Sequence, residues 1–165
     1  MAGVEIDEGL DEGLIWHYGN PVAEARSLAS GEGVVDLRNR EVIEVAGEDR
    51  LTWLHSLTTQ HLEHLKPGVP TTALILSPTG HTEHVLHGVD DGTSFLAWTE
   101  PGRAEALIDF LDKMRFVMRV EVARRDDLRL AWAGHKVALD PQWRVRDSDL
   151  GGVEAYTIAG PPGLA

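Results

Sequence analysis

Histidines offer this sequence its clearest opportunity for chemistry. His81, His84 and His87 are spaced by three residues, and His61 and His64 repeat that interval. On a helix this spacing would bring the imidazoles to one side, but the pattern around the first three is that of a strand, where residues two apart share a face. His81 and His87 would then lie about 20 Å apart, at roughly 3.3 Å per residue. We therefore predict surface or sheet-face histidines and no metal site.

Other common catalytic signatures are absent from the sequence. It contains no G-x-S-x-G elbow, no H-E-x-x-H pair, no P-loop and no dinucleotide-type G-x-G-x-x-G. It also contains no cysteine, which excludes disulfides, thiolate metal sites and a cysteine nucleophile. We therefore predict no catalytic residue from these patterns.

The overall charge argues against nucleic acid and membrane as partners. Asp and Glu number 27 against 15 Lys and Arg, which gives a formal net charge of -12. Such a surface repels phosphate backbones and anionic lipid. No apolar run approaches membrane-spanning length, and the acidic N-terminus is unlike a signal or transit peptide. We expect a cytoplasmic protein.

Basic residues are concentrated in one stretch of this acidic chain. One interpretation is a plain solvated face. The other is a site for a multiply charged small anion, which a local positive patch would attract. The sequence leaves both open. The stretch comprises Lys113, Arg115, Arg119, Arg124, Arg125 and Arg129.

Two turn sequences organise the middle of the chain. Residues 78–80 read Pro-Thr-Gly and residues 90–92 read Asp-Asp-Gly. Both favour tight turns, because Gly tolerates positive φ and Pro fixes φ. They separate apolar runs that predict strands at 71–77, 81–89 and 94–98. Consecutive strands joined by tight turns pair antiparallel, so we predict a β-meander.

Helices are predicted on either side of this meander. Asn20 followed by Pro21 is typical of a helix start. Apolar residues at helical spacing predict two further helices, which begin near Gly47 and Thr99. Apolar and charged residues then alternate over 116–122, which predicts a half-buried strand. The sum is an α+β fold with a mostly antiparallel sheet and flanking helices.

Nine short segments occur in an order that resembles a known family. They are WHYG (16–19), GVVDL (33–37), VAGEDR (45–50), WLH (53–55), LTTQH (57–61), LKPG (65–68), ALILSPTG (73–80), FLAWT (95–99) and KMRF (113–116). In order and spacing, over about 14–125, they resemble the folate-binding domain of the glycine cleavage T-protein, an aminomethyltransferase, and in particular its YgfZ-type branch. The resemblance implies the fold of that domain and tetrahydrofolate as cofactor. It would also make the basic stretch, on its second interpretation, a site for the polyglutamate tail of a folate.

The resemblance also implies a set of site residues. It maps three folate contacts onto Leu96, Trp98 and Glu100, which would supply an apolar wall, an aromatic plate and a carboxylate for pterin N–H groups. The plainer alternative is that Leu96 and Trp98 are core and Glu100 caps a helix. The paired acids of the transferase map onto His84 and Val85. Valine can neither accept nor donate a proton, so the group expected to assist at the folate nitrogen is missing.

Three functions follow as hypotheses. The first is a tetrahydrofolate-binding protein that is not a transferase and acts in folate-dependent iron–sulfur protein maintenance, with iron–sulfur proteins as partners. The second is an aminomethyltransferase in which His84 or Glu83 replaces the missing acid. The third is an interaction module that binds no ligand and recruits a partner through its acidic surface.

The same resemblance guides the predicted domain boundaries. Residues 1–13 are acidic and are expected to be flexible. Residues 14–133 are expected to form the folate-binding-type α+β domain. Residues 134–165 mix Gly, Pro and short apolar pieces, and we expect an irregular segment that begins a second half. YgfZ-type proteins are longer and carry a K-G-C-x-x-G-Q-E-like segment, so the sequence is interpreted as an N-terminal portion.

Overall fold

A computed structural model describes residues 3–135, 143–147 and 155–160. The chain divides into two compact units. The terminal unit combines Met1–Arg40 with Asp127–Ala165, and the central unit is Glu41–Asp126. No helix in the described ranges is both long enough and apolar enough to cross a membrane.

The described residues form short strands and three helices. In chain order the strands are β1 (Val4–Glu5), β2 (Ile15–His17), β3 (Val34–Asp36), β4 (Glu41–Ala46), β5 (Pro70–Leu76), β6 (Thr82–Asp90), β7 (Ser94–Thr99), β8 (Glu121–Arg124), β9 (Arg129–Gly134), β10 (Trp143–Asp147) and β11 (Ala155–Gly160). The helices are α1 (Pro21–Ala29), α2 (Arg50–Leu57) and α3 (Ala104–Met114).

The terminal unit contains α1, the pair β1–β2 and an antiparallel sheet in the order β10-β11-β9-β3. Helix α1 begins as the sequence predicts, since the Asn20 side chain accepts a hydrogen bond from the Ala23 amide at 3.1 Å. Strand β1 lies in the segment that we expected to be flexible, and β10 and β11 lie in the one that we expected to be irregular. The domain boundaries at residues 13 and 133 remain a prediction.

The central unit is built on a five-stranded sheet in the order β5-β6-β7-β4-β8, with every neighbouring pair antiparallel. Strands β5, β6 and β7 form the predicted meander. Gly80 and Gly92 occupy its two turns with φ of 84° and 98°, a region that favours glycine. The predicted α+β fold with a mostly antiparallel sheet is confirmed.

Helices α2 and α3 cover one face of this sheet and form the core with it. Ala104, Leu107 and Leu111 of α3 are buried at helical spacing. They belong to one apolar cluster with Trp53 and Leu54 of α2 and with alternate residues of the strands. The sheet residues in this cluster are Ile43, Val45, Ala73, Ile75, Leu86, Phe95 and Ala97.

The strand predicted over 116–122 is wrong, because only Glu121–Arg124 is extended and paired. Strand β4 ends at Ala46, whose partner is Glu121, so the residues before Glu121 have no strand opposite them. Val117 is 93% exposed. Beyond Ala46, a Cβ added to Gly47 would lie 2.1 Å from the Arg119 carbonyl oxygen, so only glycine fits this approach.

Candidate functional site

The predicted folate contacts lie on the sheet of the central unit, on the face opposite to α2 and α3. His87 pairs with Trp98 and Val89 pairs with Leu96 across β6 and β7. Cross-strand partners project to the same face, so these four side chains share one side. We call this side the open face, meaning only that α2 and α3 lie on the other side, since Val42, Val89 and Leu96 on it are buried. The sharing of a face by Leu96 and Trp98, expected from their spacing, is observed.

Trp98 is held in place by a row of side chains that crosses three strands. Its indole stacks on the His87 imidazole with ring centroids 6.2 Å apart and an interplanar angle of 22°. The His87 Nδ1 atom lies 3.0 Å from the Thr72 hydroxyl oxygen, which is a hydrogen bond. Trp98 is half-buried. The row therefore fixes the plane of an aromatic ring that keeps part of its surface accessible.

Val85 and Glu100 lie next to this row. Both are half-buried, and Glu100 directly follows the last residue of β7. The β6–β7 ladder ends at the His87–Trp98 pair, and the two-residue period of a strand puts Val85 on the same face as His87. Val85 and Trp98 thus project to the open face, and the Glu100 carboxylate follows two residues after Trp98 in the chain.

Leu96 contributes less surface than the sequence predicts. It is 2% exposed, so it offers almost no area to a ligand as it stands. Its position between Val89 and Glu44 in the cross-strand row makes it a support for the open face. Its role as a direct folate contact remains a prediction, as do the roles of Trp98 and Glu100.

His84 lies on the opposite side of the sheet from Trp98. It pairs with Ile75, a core residue, and its ring lies 5.7 Å from the Phe110 ring of α3. Burial is the main cause that lowers the pKa of His84 below its ordinary value. The structure therefore brings Leu96, Trp98 and Val85 to one face and leaves His84 on the other, while Glu100 directly follows the end of β7.

The chain is similar to known transferases. It is 27% identical over 123 residues to a chloroplastic transferase-like protein of Arabidopsis thaliana, a match that covers 74% of this chain and 28% of that protein. It is 24% identical over 131 residues to an aminomethyltransferase of Nitrosococcus oceani, covering 78% of this chain and 35% of the relative. No protein-family model matches the sequence.

The similarity extends to solved structures. The glycine cleavage system aminomethyltransferase T of Bartonella henselae superimposes with a TM-score of 0.67 at 19% sequence identity, over 80% of this chain and 42% of that chain. The fold is like that of the glycine cleavage T-protein. The chain spans about a third of the length of the curated relatives that it matches.

In this aminomethyltransferase-like fold, the two positions mapped onto paired acids are separated by the sheet. Val85 projects to the open face and His84 to the helices, and neither is a carboxylic acid. Glu83 is exposed and lies where the β5–β6 register shifts, next to the Thr82 and His84 pairings. Val85 is thus the residue on the open face at the position where the resemblance leads one to expect an acid.

The basic stretch is largely engaged with carboxylates. Arg119 pairs with Asp49 and Glu48, and the pKa of the Asp49 carboxyl is lowered chiefly by its hydrogen bonds from Arg119. Arg125 pairs with Glu44 at 2.8 Å. Arg124 likewise pairs with Glu41 and Asp126. Guanidinium groups that already have carboxylate partners favour the solvated-face interpretation over an anion site.

A separate cavity of about 470 Å³ lies within the terminal unit. Trp16, Tyr18 and Leu28 contribute apolar walls to it, and Glu24 and Asp36 contribute carboxylates. None of the predicted site residues lines this cavity, because all of them belong to the central unit. We base the candidate site on the open face, where the side-chain chemistry converges.

Sequence reasoning missed Thr72 and His87. It assigned His87 to a sheet face without a partner, and it gave Thr72 no role. Their contribution depends on the register of three strands, which sets which side chains become neighbours.

Proposed function

We propose that this protein binds tetrahydrofolate, does not transfer an aminomethyl group, and acts in folate-dependent maintenance of iron–sulfur proteins in the cytoplasm. The observation that carries the proposal is the open face. There, the Trp98 indole stacks on His87, which is hydrogen-bonded to Thr72, and shares its face with Val85. This face therefore offers an aromatic ring on which a flat heterocycle can stack, but it has no acid at position 85.

The binding half of the proposal rests on the chemistry of Trp98 and Glu100. A flat pterin gains dispersion and electrostatic energy when it stacks on a fixed indole, and a held ring loses little entropy on binding. The Glu100 carboxylate is an acceptor for the N–H groups that a pterin presents. Similarity to an aminomethyltransferase fold supports the choice of a folate over other flat heterocycles.

The non-transferase half rests on position 85. A general acid or base must lie within hydrogen-bond reach of the atom that it protonates or deprotonates. Val85 has no titratable group, and His84 packs toward Phe110 on the other side of the sheet. A ligand on the open face therefore has no proton-transfer partner at either mapped position.

Calorimetric titration of tetrahydrofolate and folinate into the protein tests the binding half. We expect saturable binding that weakens about 2- to 12-fold in Trp98→Leu, the factor that corresponds to an aromatic pair. Trp98→Phe should recover part of the loss, because phenylalanine also stacks. Trp16→Leu, at an exposed tryptophan of the terminal unit, is the matched control. Absence of binding at millimolar ligand, or equal losses in both leucine variants, would contradict the proposal.

An aminomethyltransferase is the second candidate, favoured by the name of the Nitrosococcus oceani relative. The two candidates differ in the release of ammonia from an aminomethyl-loaded lipoyl carrier protein, with tetrahydrofolate as acceptor. We expect no turnover, and clear turnover would establish the transferase instead. The iron–sulfur role is tested in cells that lack the gene. Activity of an iron–sulfur enzyme should be restored by the native protein and less fully by Trp98→Leu, in proportion to its weaker folate binding.

A further inference from the structure

We propose that His61, Glu63 and His64 form a binding site for one zinc ion. The imidazole nitrogens and the carboxylate oxygen of these residues all lie within 4.8 Å of one another. Zinc bonds of about 2.0–2.2 Å in a tetrahedral site place ligand atoms roughly 3.4 Å apart. All three side chains are exposed, so small rotations can close this gap without displacing the backbone.

The turn that carries the three ligands is anchored to the core. Leu62, between His61 and Glu63, is buried in the main apolar cluster. The Leu65 amide donates to the Leu62 carbonyl oxygen at 2.9 Å, which closes the turn. The Thr59 amide donates to the carbonyl oxygen of Leu74 in β5, also at 2.9 Å. Because the backbone of the turn is already anchored, only the side chains of the three ligands must become ordered when an ion binds.

Two contacts restrict the His61 ring further. The His55 ring lies 4.5 Å from it in an edge-on arrangement, and the His64 ring lies 5.7 Å from it. The His55 Nδ1 atom is 3.2 Å from the Gln60 carbonyl oxygen, so a neutral His55 places its hydrogen on Nδ1. His61 thus contacts the ring of His55 as well as that of the second proposed ligand, His64.

The same residue pattern occurs twice in the chain with different geometry. Residues 61–64 read His-Leu-Glu-His and residues 81–84 read His-Thr-Glu-His. In the second copy His84 belongs to β6 and contacts Phe110, while the His81 Nδ1 lies 3.0 Å from the Thr79 hydroxyl oxygen. Among the described residues, the first copy alone brings its ligand atoms together. The backbone turn at residues 61–64, rather than the His-x-Glu-His spacing, therefore brings the ligand atoms close to one another.

The donor set selects the kind of ion. Two imidazoles and one carboxylate match zinc and related transition metals, whereas calcium and magnesium prefer oxygen donors alone. Three protein ligands leave the fourth tetrahedral position for water or another ligand. The ion also compensates the Glu63 charge.

Calorimetry with zinc chloride on the untagged, metal-free protein tests the site, with cobalt absorption as a second readout. We expect one equivalent of zinc per chain and a loss of affinity of at least about 100-fold in the double variant His61→Ala/Glu63→Gln. The control is His81→Ala/Glu83→Gln, which makes the same changes in the second copy and should bind zinc like the native protein.

Three outcomes would overturn the proposal. They are no saturable binding, equal affinity in the native protein and the His61→Ala/Glu63→Gln variant, and an equal loss in the control. Far-UV circular dichroism of both double variants keeps the result independent of folding, since all four substituted side chains are exposed. Cobalt bound at the site should give the intense visible bands of a tetrahedral complex, and octahedral bands alone would also refute it.

Discussion

Replacing Asp90 by alanine should lower the free energy of unfolding by about 3–5 kcal/mol, the cost of breaking a buried ion pair. Asp90, at the end of β6, is 1% exposed, and Arg50, at the start of α2, is 11% exposed. The Arg50 Nε and Nη2 atoms lie 2.7 and 2.9 Å from the two Asp90 carboxylate oxygens. These hydrogen bonds are the main cause that raises the pKa of Arg50.

The magnitude follows from what the substitution leaves behind. Without Asp90, the Arg50 guanidinium keeps a hydrogen bond to the Gly47 carbonyl oxygen at 3.1 Å but loses its hydrogen-bonded carboxylate, while the charge of Asp91 remains near it. The Gly92 amide, which donates to Asp90 at 2.8 Å, also loses its acceptor. A guanidinium that loses its hydrogen-bonded carboxylate at this depth costs several kcal/mol, because water reaches little of it.

Urea unfolding followed by far-UV circular dichroism measures the effect. With a slope of about 2 kcal/mol per molar urea, the expected loss lowers the midpoint by about 1.5–2.5 M. Arg124→Ala is the control, because Arg124 also contacts two carboxylates but is about half exposed. It should cost less than about 1 kcal/mol. Equal losses in the two variants, or a midpoint for Asp90→Ala close to the native one, would refute the reasoning.

Three further substitutions test the packing of the central unit. Gly88→Ala should cost about 1–3 kcal/mol in urea unfolding, because the added Cβ would lie 2.6 Å from the Phe95 ring. Trp53→Phe should cost a similar amount, since it leaves the Met114 carbonyl oxygen without the indole N–H that donates to it at 3.1 Å. Burial lowers the pKa of His84, so the unfolded chain binds the proton more readily and stability falls as pH drops below about 6.5. His84→Leu should flatten this dependence, which urea midpoints at several pH values would reveal.

Local chemistry made the meander predictable. The turn residues at 78–80 and 90–92 fix where strands stop, and the observed strands β5, β6 and β7 lie within one or two residues of the predicted ranges. The N-cap at Asn20 was predictable for the same reason, because cap and helix are neighbours in sequence. Turns and helix caps depend only on residues that are neighbours in the sequence, so they can be predicted from the sequence.

Features decided by distant partners were not predictable. The alternating residues 116–122 have the pattern of a strand, but β4 ends before most of them could pair. The third helix begins at Ala104 rather than Thr99, because Thr99 pairs with Glu41 as the last residue of β7. Alternating apolar and charged residues indicate which side chains would share one face of a strand. They do not show whether a second strand lies in register to pair with it.

The two faces of the central sheet explain how binding and catalysis can separate in this fold. The face under α2 and α3 is filled with apolar side chains, so its residues are constrained by packing. On the open face, Trp98 and Val85 project from different strands. An indole there contributes stacking energy, whereas the paired-acid chemistry implied by the resemblance would need an acid at the positions of His84 and Val85. A change at position 85 can therefore remove the chemistry and leave the aromatic row intact, because the row is held by Thr72 and His87 and not by residue 85.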